Sequence, residues 1–107
     1  GVPEGTPPSD LPKKTKYDDR SYLLTTAKVK ELYRKQDYEL SLVHLEPLIE
    51  AYPTDAKLLS LRGTISSKLG FDDLAEKSWK EALLQDPHNQ AIRAALQNLQ
   101  KRRYVKQ

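Results

Sequence analysis

The 107 residues suffice for one domain with a single modest core, and 31% of them are charged, which requires a polar exterior. With no cysteine in the chain, disulfides and thiolate metal sites are excluded, and no run of about 18 apolar residues exists to form a membrane-spanning helix. The net charge of +3 is too small to imply nucleic-acid binding on its own.

Residues 1–17, GVPEGTPPSDLPKKTKY, hold four prolines, two glycines and few apolar side chains. Such a stretch buries too little surface to offset its ordering entropy, so it reads as a flexible arm or linker. A proline-rich ligand for another domain is the alternative, although Pro7-Pro8 and Pro12 form no recognition motif. Methionine is missing throughout, even at residue 1, which points to a processed product or excised fragment with Gly1 as a cleavage remnant.

Asp18, Asp19 and Ser21 offer caps for a helix from about Ser21 to Lys35, with Leu24, Ala27, Leu32 and Tyr33 facing inward. Gln36, Asp37 and Tyr38 make a turn. A second helix runs from about Tyr38 to Tyr52, with Leu42, Leu45, Leu48, Ile49 and Tyr52 inward and Pro53 as its stop. Pro47 falls inside this helix, where a proline removes one backbone bond and crowds the preceding turn at a cost of about 3 kcal/mol. The sequence therefore predicts a kink at Pro47, or a break near Glu46, unless the bend is tolerated on a solvent-facing side.

From Ala56 to Asn89 the signals are sharper. Leu58, Leu59, Leu61, Ile65 and Leu69 give an apolar stripe at helical spacing, and Gly70 follows at once, suited to the left-handed closure of a helix. Asp73 is then placed to cap the next helix, with Glu76 three residues on to complete a capping box. Leu74, Ala75, Ser78, Trp79, Ala82 and Leu83 form its inward face, and Pro87 stops it. A last helix spans about Gln90 to Arg103, with Ala91, Ile92, Ala95, Leu96 and Leu99 as its stripe.

The 34-residue unit at 56–89 resembles a tetratricopeptide repeat, through Gly63, Gly70, Ala75, Trp79, Ala82 and Pro87 at matching positions. It departs from the pattern in its first helix, where Leu59, Arg62 and Ser66 replace the usual Trp, Leu and Tyr. Residues 22–55 resemble it as a degenerate repeat: Pro53 lies 34 residues before Pro87, Leu45 pairs with Trp79, Leu48 with Ala82, and Tyr38 with Phe71. Val29 and Gln36 stand where the second unit has its glycines. The resemblance implies an all-α fold, a right-handed helix–turn–helix repeat of the α-solenoid kind with five antiparallel helices. The domain would then occupy 18–107, as repeats at 22–55 and 56–89 and a capping helix at 90–107.

No catalytic constellation is present: His44 and His88 sit 44 residues apart without ligand spacing and read as surface residues, and Gly63 and Gly70 form no phosphate loop. No enzyme, cofactor or metal site is expected. The resemblance places on the concave side Leu23, Thr26, Lys30, Tyr33 and Arg34 from the first repeat. The second repeat would add Lys57, Ser60, Thr64, Ser67 and Lys68, and the cap Ala94, Asn98, Lys101 and Arg102. That face is basic, so an acidic or C-terminal peptide of a protein partner would suit it; a merely solvated face is the bland alternative. Some members of the family clamp a chaperone carboxylate with lysines, asparagines and an arginine. The corresponding positions here, Thr26, Lys30, Leu61, Ile92 and Leu96, hold one basic residue and no asparagine.

The excess charge gathers at the end: residues 90–107 carry five basic side chains and no acid. The tail KRRYVKQ could complement a helix dipole, extend the groove, or touch nucleic acid or an anionic membrane. Because two repeats are fewer than the three or so that such arrays need, homodimerisation through exposed apolar helix edges is the rival function. The compartment stays open.

Overall fold

Five helices make up residues 17–105, the part of the chain that the computed structural model describes: α1 (Asp19–Arg34), α2 (Tyr38–Ala51), α3 (Ala56–Lys68), α4 (Asp72–Gln85) and α5 (Gln90–Tyr104). The fold is all-α, and no strand occurs among the described residues. Each helix packs on its sequence neighbour, α1 on α2, α2 on α3, α3 on α4 and α4 on α5. The arm read at 1–17 lies outside the described residues except for Tyr17, whose ring sits 6.4 Å from that of Tyr52.

The period of 34 is written into the backbone. Helices α2 and α4 each have 14 residues and begin 34 apart, at Tyr38 and Asp72. The hairpin turns match bond for bond. The Phe71 N–H reaches the Ser66 carbonyl at 2.9 Å and the Gly70 N–H that of Ser67 at 3.1 Å; Asp37 and Gln36 repeat both, to Leu32 and Tyr33. This is the paired bonding of a left-handed helix closure, and Gly70 and Gln36 take it at φ +80° and +66°. The expected Tyr38–Phe71 pairing is thus off by one, since the residue equivalent to Phe71 is Asp37, and each precedes its helix.

A left-handed backbone strains any side chain but costs glycine nothing. Gln36→Gly should therefore raise stability by about 0.5–1 kcal/mol, and Gly70→Ala should lower it by about 1 kcal/mol. Urea midpoints read both, and a destabilised Gln36→Gly would show that the glutamine side chain outweighs its strain.

One core runs the length of the stack, from Val29 and Leu32 through Leu45, Leu48, Ile49, Leu58, Leu59, Ile65, Ala75, Trp79 and Ala82 to Ile92, Leu96 and Leu99. The inward residues expected of α2, α3 and α4 lie in it or against it, apart from Leu74, which is half-buried. Helix α1 meets expectation at Leu32 and Tyr33 and departs from it earlier: Leu24 and Ala27 are exposed, and Val29 is fully buried. Tyr17, ahead of α1, packs towards Tyr52, and no described residue covers the side of Leu24 and Ala27. Ala91 of α5 is likewise exposed, and His44 is half-buried while His88 is exposed.

Two local expectations need correction. Helix α2 is not broken near Glu46 but runs on through Pro47; a proline frees the carbonyl four residues back, here that of Val43, an exposed residue. Asp73 does not cap α4. The capping residue is Phe71, which makes no side-chain cap bond, and Asp72 and Asp73 lie in the first turn, where their charge suits the helix dipole. Elsewhere the caps form. Asp18 and Ser21 make a reciprocal capping box on α1, while Asp55 and Asn89, again 34 apart, cap α3 and α5 with their side chains.

Candidate functional site

Between the first helices of the two hairpins lies a groove of about 310 Å³. Tyr22, Leu23, Thr26 and Lys30 of α1 form one wall, and Lys57, Leu58, Ser60, Leu61 and Thr64 of α3 form the floor and the other wall. The two helices are fixed at this point by Asp55. One carboxylate oxygen accepts the Lys57 and Leu58 N–H groups at 3.0 and 3.2 Å, and the other accepts the Tyr22 hydroxyl at 2.5 Å. Burial, and then the Asp55 carboxylate, push the Tyr22 phenol well above its usual range, so it remains a donor. Its ring stands edge-on to Tyr52 at 5.2 Å.

The polar groups of the groove divide into spent and free. Thr26 and Thr64 donate to backbone carbonyls of their own helices, at 3.0 and 3.2 Å. The Ser60 carbonyl accepts the Trp79 indole N–H at 3.2 Å, which locks α4 behind the groove floor. Lys30 and Lys57 have no acidic partner among the described residues. The groove therefore offers two unpaired ammonium groups over a floor of Leu58 and Leu61, with exposed Leu23 at its lip. A second hollow, of about 220 Å³, continues from Lys57 and Ser60 towards Asp86, Asn89 and Ile92 at the start of α5.

Of the residues expected on this face, the structure brings together Leu23, Thr26, Lys30, Lys57, Ser60 and Thr64. The others lie elsewhere. Tyr33 packs on Tyr38 at 5.4 Å, and Arg34 pairs with Glu31 one turn back. Ser67 and Lys68 sit beyond the groove at the far end of α3. Asn98 and Lys101 line a separate hollow on α5 with Tyr104 and Val105.

Arg102 pairs with Asp72 at 3.2 Å. Its neighbour Arg103 binds Asp73 at 2.5 Å and Glu76 at 2.7 Å. The basic tail is thus turned against the acidic start of α4, and two of its cations fasten the last helix rather than line the groove.

Sequence reasoning missed the two buried charges. Arg62 lies almost fully buried among α2, α3 and α4, donating through Nε to the Ser78 hydroxyl at 2.8 Å and pairing with Glu81 at 3.1 Å and Glu46 at 3.4 Å. Its position inside the Leu58–Ile65 stripe was the available signal. Glu76 is buried under α5, where it accepts the Tyr104 hydroxyl at 2.7 Å and the Gln100 amide at 3.3 Å and pairs with Lys80 at 3.3 Å. Among the described residues no cluster of His, Asp or Glu could hold a metal ion, and no helix is long and apolar enough to cross a membrane.

No family model, curated protein or solved structure matches the chain.

The Tyr104 hydroxyl bond holds the Glu76 carboxyl below its ordinary value near 4.5; burial pushes the other way, and Gln100 and Lys80 add to the lowering. A carboxylate depressed in the folded state stabilises fully above its unfolded value and loses that contribution as pH falls through the folded one. Docking of α5 should accordingly weaken as pH falls below the ordinary glutamate value of 4.5. The capping carboxylate of Asp18 is lowered as well, chiefly by the Ser21 backbone bond. Glu76→Gln should therefore narrow, without abolishing, the gap in urea midpoint between pH 7 and pH 3. An unchanged gap would remove Glu76 from the acid response.

Proposed function

We infer that this chain is a non-enzymatic protein-interaction module resembling a tetratricopeptide-repeat domain, which binds an acidic peptide segment of a partner along the α1–α3 groove. The observation that carries the reading is the pair Lys30 and Lys57, unpaired among the described residues, flanking an apolar floor. Ammonium groups without a carboxylate of their own are available for charge-assisted bonds to a ligand, and half-buried Leu61 with exposed Leu23 would take an aliphatic side chain of the same ligand. Support for the repeat resemblance comes from the 34-residue recurrence of turns and caps and from the contact of Gly63 with Trp79.

The test is titration of isotope-labelled chain with an acidic peptide carrying leucine, alongside Lys30→Glu/Lys57→Glu. Shifts at Thr26, Lys30, Lys57, Ser60 and Thr64, and an affinity loss of about tenfold or more in the double variant, are expected. Shifts confined to α4 and α5, or equal affinity for the variant, would overturn the reading.

A second reading, self-association through apolar helix edges, is favoured by one comparison. Leu58 is 1% exposed, whereas its counterpart 34 residues earlier, Leu24, is 62% exposed. Helix α1 thus lacks the cover that α3 has. Sedimentation over a concentration range separates the two, since a strict monomer rules out self-assembly.

A further inference from the structure

At the opposite end of α3 from the groove lies an apolar pocket of about 350 Å³ that the peptide reading does not use. Leu42 and Val43 of α2 and Leu69 and Phe71 of the hairpin turn line it, and Glu39 and Glu46 form its rim. Two features separate it from an ordinary surface hollow. Val43 is 63% and Phe71 48% exposed, so large apolar side chains face water on both sides of it. Phe71 also occupies the capping position of α4 without making a side-chain cap bond, as Asp37 does at the equivalent place on α2. Half-exposed and without a side-chain bond to the helix start, the phenylalanine is explained by neither burial nor capping.

The charge around the pocket selects its occupant. Helix α2 carries Glu39, Glu46 and Glu50 and no lysine or arginine. Glu39 has no partner among the described residues, and Glu46 meets only the Arg62 guanidinium, at 3.4 Å. Arg102 is committed to Asp72 and Arg103 to Asp73 and Glu76, and Lys68, beside Leu69, pairs with no carboxylate among the described residues, so neither Glu39 nor Glu46 is met by it. We propose that this pocket docks a basic amphipathic segment of a partner protein, which inserts one aliphatic or aromatic side chain between Val43 and Phe71 and sets its lysines or arginines against Glu39 and Glu46. The partner differs in sign from the one that suits the α1–α3 groove, so the two sites would take different segments.

The probe is a 13-residue peptide alternating Lys-Lys and Leu-Leu pairs, added to the full isotope-labelled chain, with a Lys/Ser peptide of equal charge as control. Expected are shifts at Leu42, Val43, Leu69 and Phe71, and an affinity at least tenfold above the control. Phe71→Asn and Val43→Lys should each lower that affinity by about tenfold while leaving helicity unchanged. Equal affinity for both peptides, undiminished affinity in both variants, or shifts centred on other helices would overturn the proposal. So would shifts of these four residues on dilution alone, which would place a second copy there. Movement of the same resonances in the unliganded chain on changing Lys13, Lys14 and Lys16 to Glu would place the chain's own arm there and would overturn the proposal equally. Because the acidic peptide is the probe for the groove, failure at either site leaves the other to be judged by its own titration.

Discussion

Gly63→Val should leave little folded protein under conditions where the parent chain is fully folded. A Cβ at residue 63 would lie 2.5 Å from Cδ1 and 2.7 Å from Cε2 of Trp79, and closer still to the indole nitrogen. No carbon pair tolerates such spacing, and the obstacle is a ring held by its N–H to the Ser60 carbonyl at 3.2 Å. Helices α3 and α4 must separate, at an expected cost of more than about 3 kcal/mol, a large fraction of the roughly 5–15 kcal/mol that stabilises a small domain.

The first hairpin shows how to reverse the loss. Its equivalent positions, 34 residues earlier, hold Val29 and Leu45, both fully buried. The two hairpins thus fill corresponding space with glycine and tryptophan in one and valine and leucine in the other. Trp79→Leu alone should cost about 2–4 kcal/mol through the void it leaves. The double variant Gly63→Val/Trp79→Leu should recover at least about 2 kcal/mol against the sum of the singles. Urea unfolding followed by circular dichroism at 222 nm measures the cycle. Additive losses would mean that the hairpins are not interchangeable at these positions.

Arg62→Ala should be the next most damaging change, at about 2–4 kcal/mol. It removes a side chain that is 10% exposed and joins three helices, through Ser78, Glu81 and Glu46. The two carboxylates keep water, since both are more than a third exposed, which limits the loss to the packing void and the orphaned Ser78 hydroxyl. Arg62→Leu is the informative partner. It restores apolar volume inside the Leu58–Ile65 stripe, and exchange of a buried ion pair for a hydrophobe is often neutral, so its cost should stay below about 1.5 kcal/mol. Equal losses in the two variants would show that charge, rather than volume, holds α3 between its neighbours.

How much of this was legible follows from which residues act alone and which act in company. Helix existence, the stops at Pro53 and Pro87 and the closure at Gly70 depend on one or two neighbouring residues, and the structure has them where spacing put them. Register on α1 depends on what lies outside it: Leu24 and Ala27 fit an apolar stripe, yet nothing among the described residues covers that side, and Val29 turns inward instead. The cap of α4 was expected from Asp73, and Asp73 pairs with Arg103 instead of capping the helix start. Of the expected site, the part on the facing halves of α1 and α3 came together, because a 34-residue offset fixes both helices relative to each other. The α5 contribution did not, because Arg102 and Arg103 pair with Asp72, Asp73 and Glu76 and dock the helix instead of lining a groove. That pairing joins residues about 30 apart in sequence, beyond any local periodicity.

The substantial interfaces join only helices adjacent along the chain, and this has a consequence for how the molecule is made. Chain closure is short at every step, so the search for the native arrangement should finish within milliseconds rather than seconds. The α1–α2 unit can also begin to assemble while the ribosome is still adding the later helices, so that α5 settles last of the five.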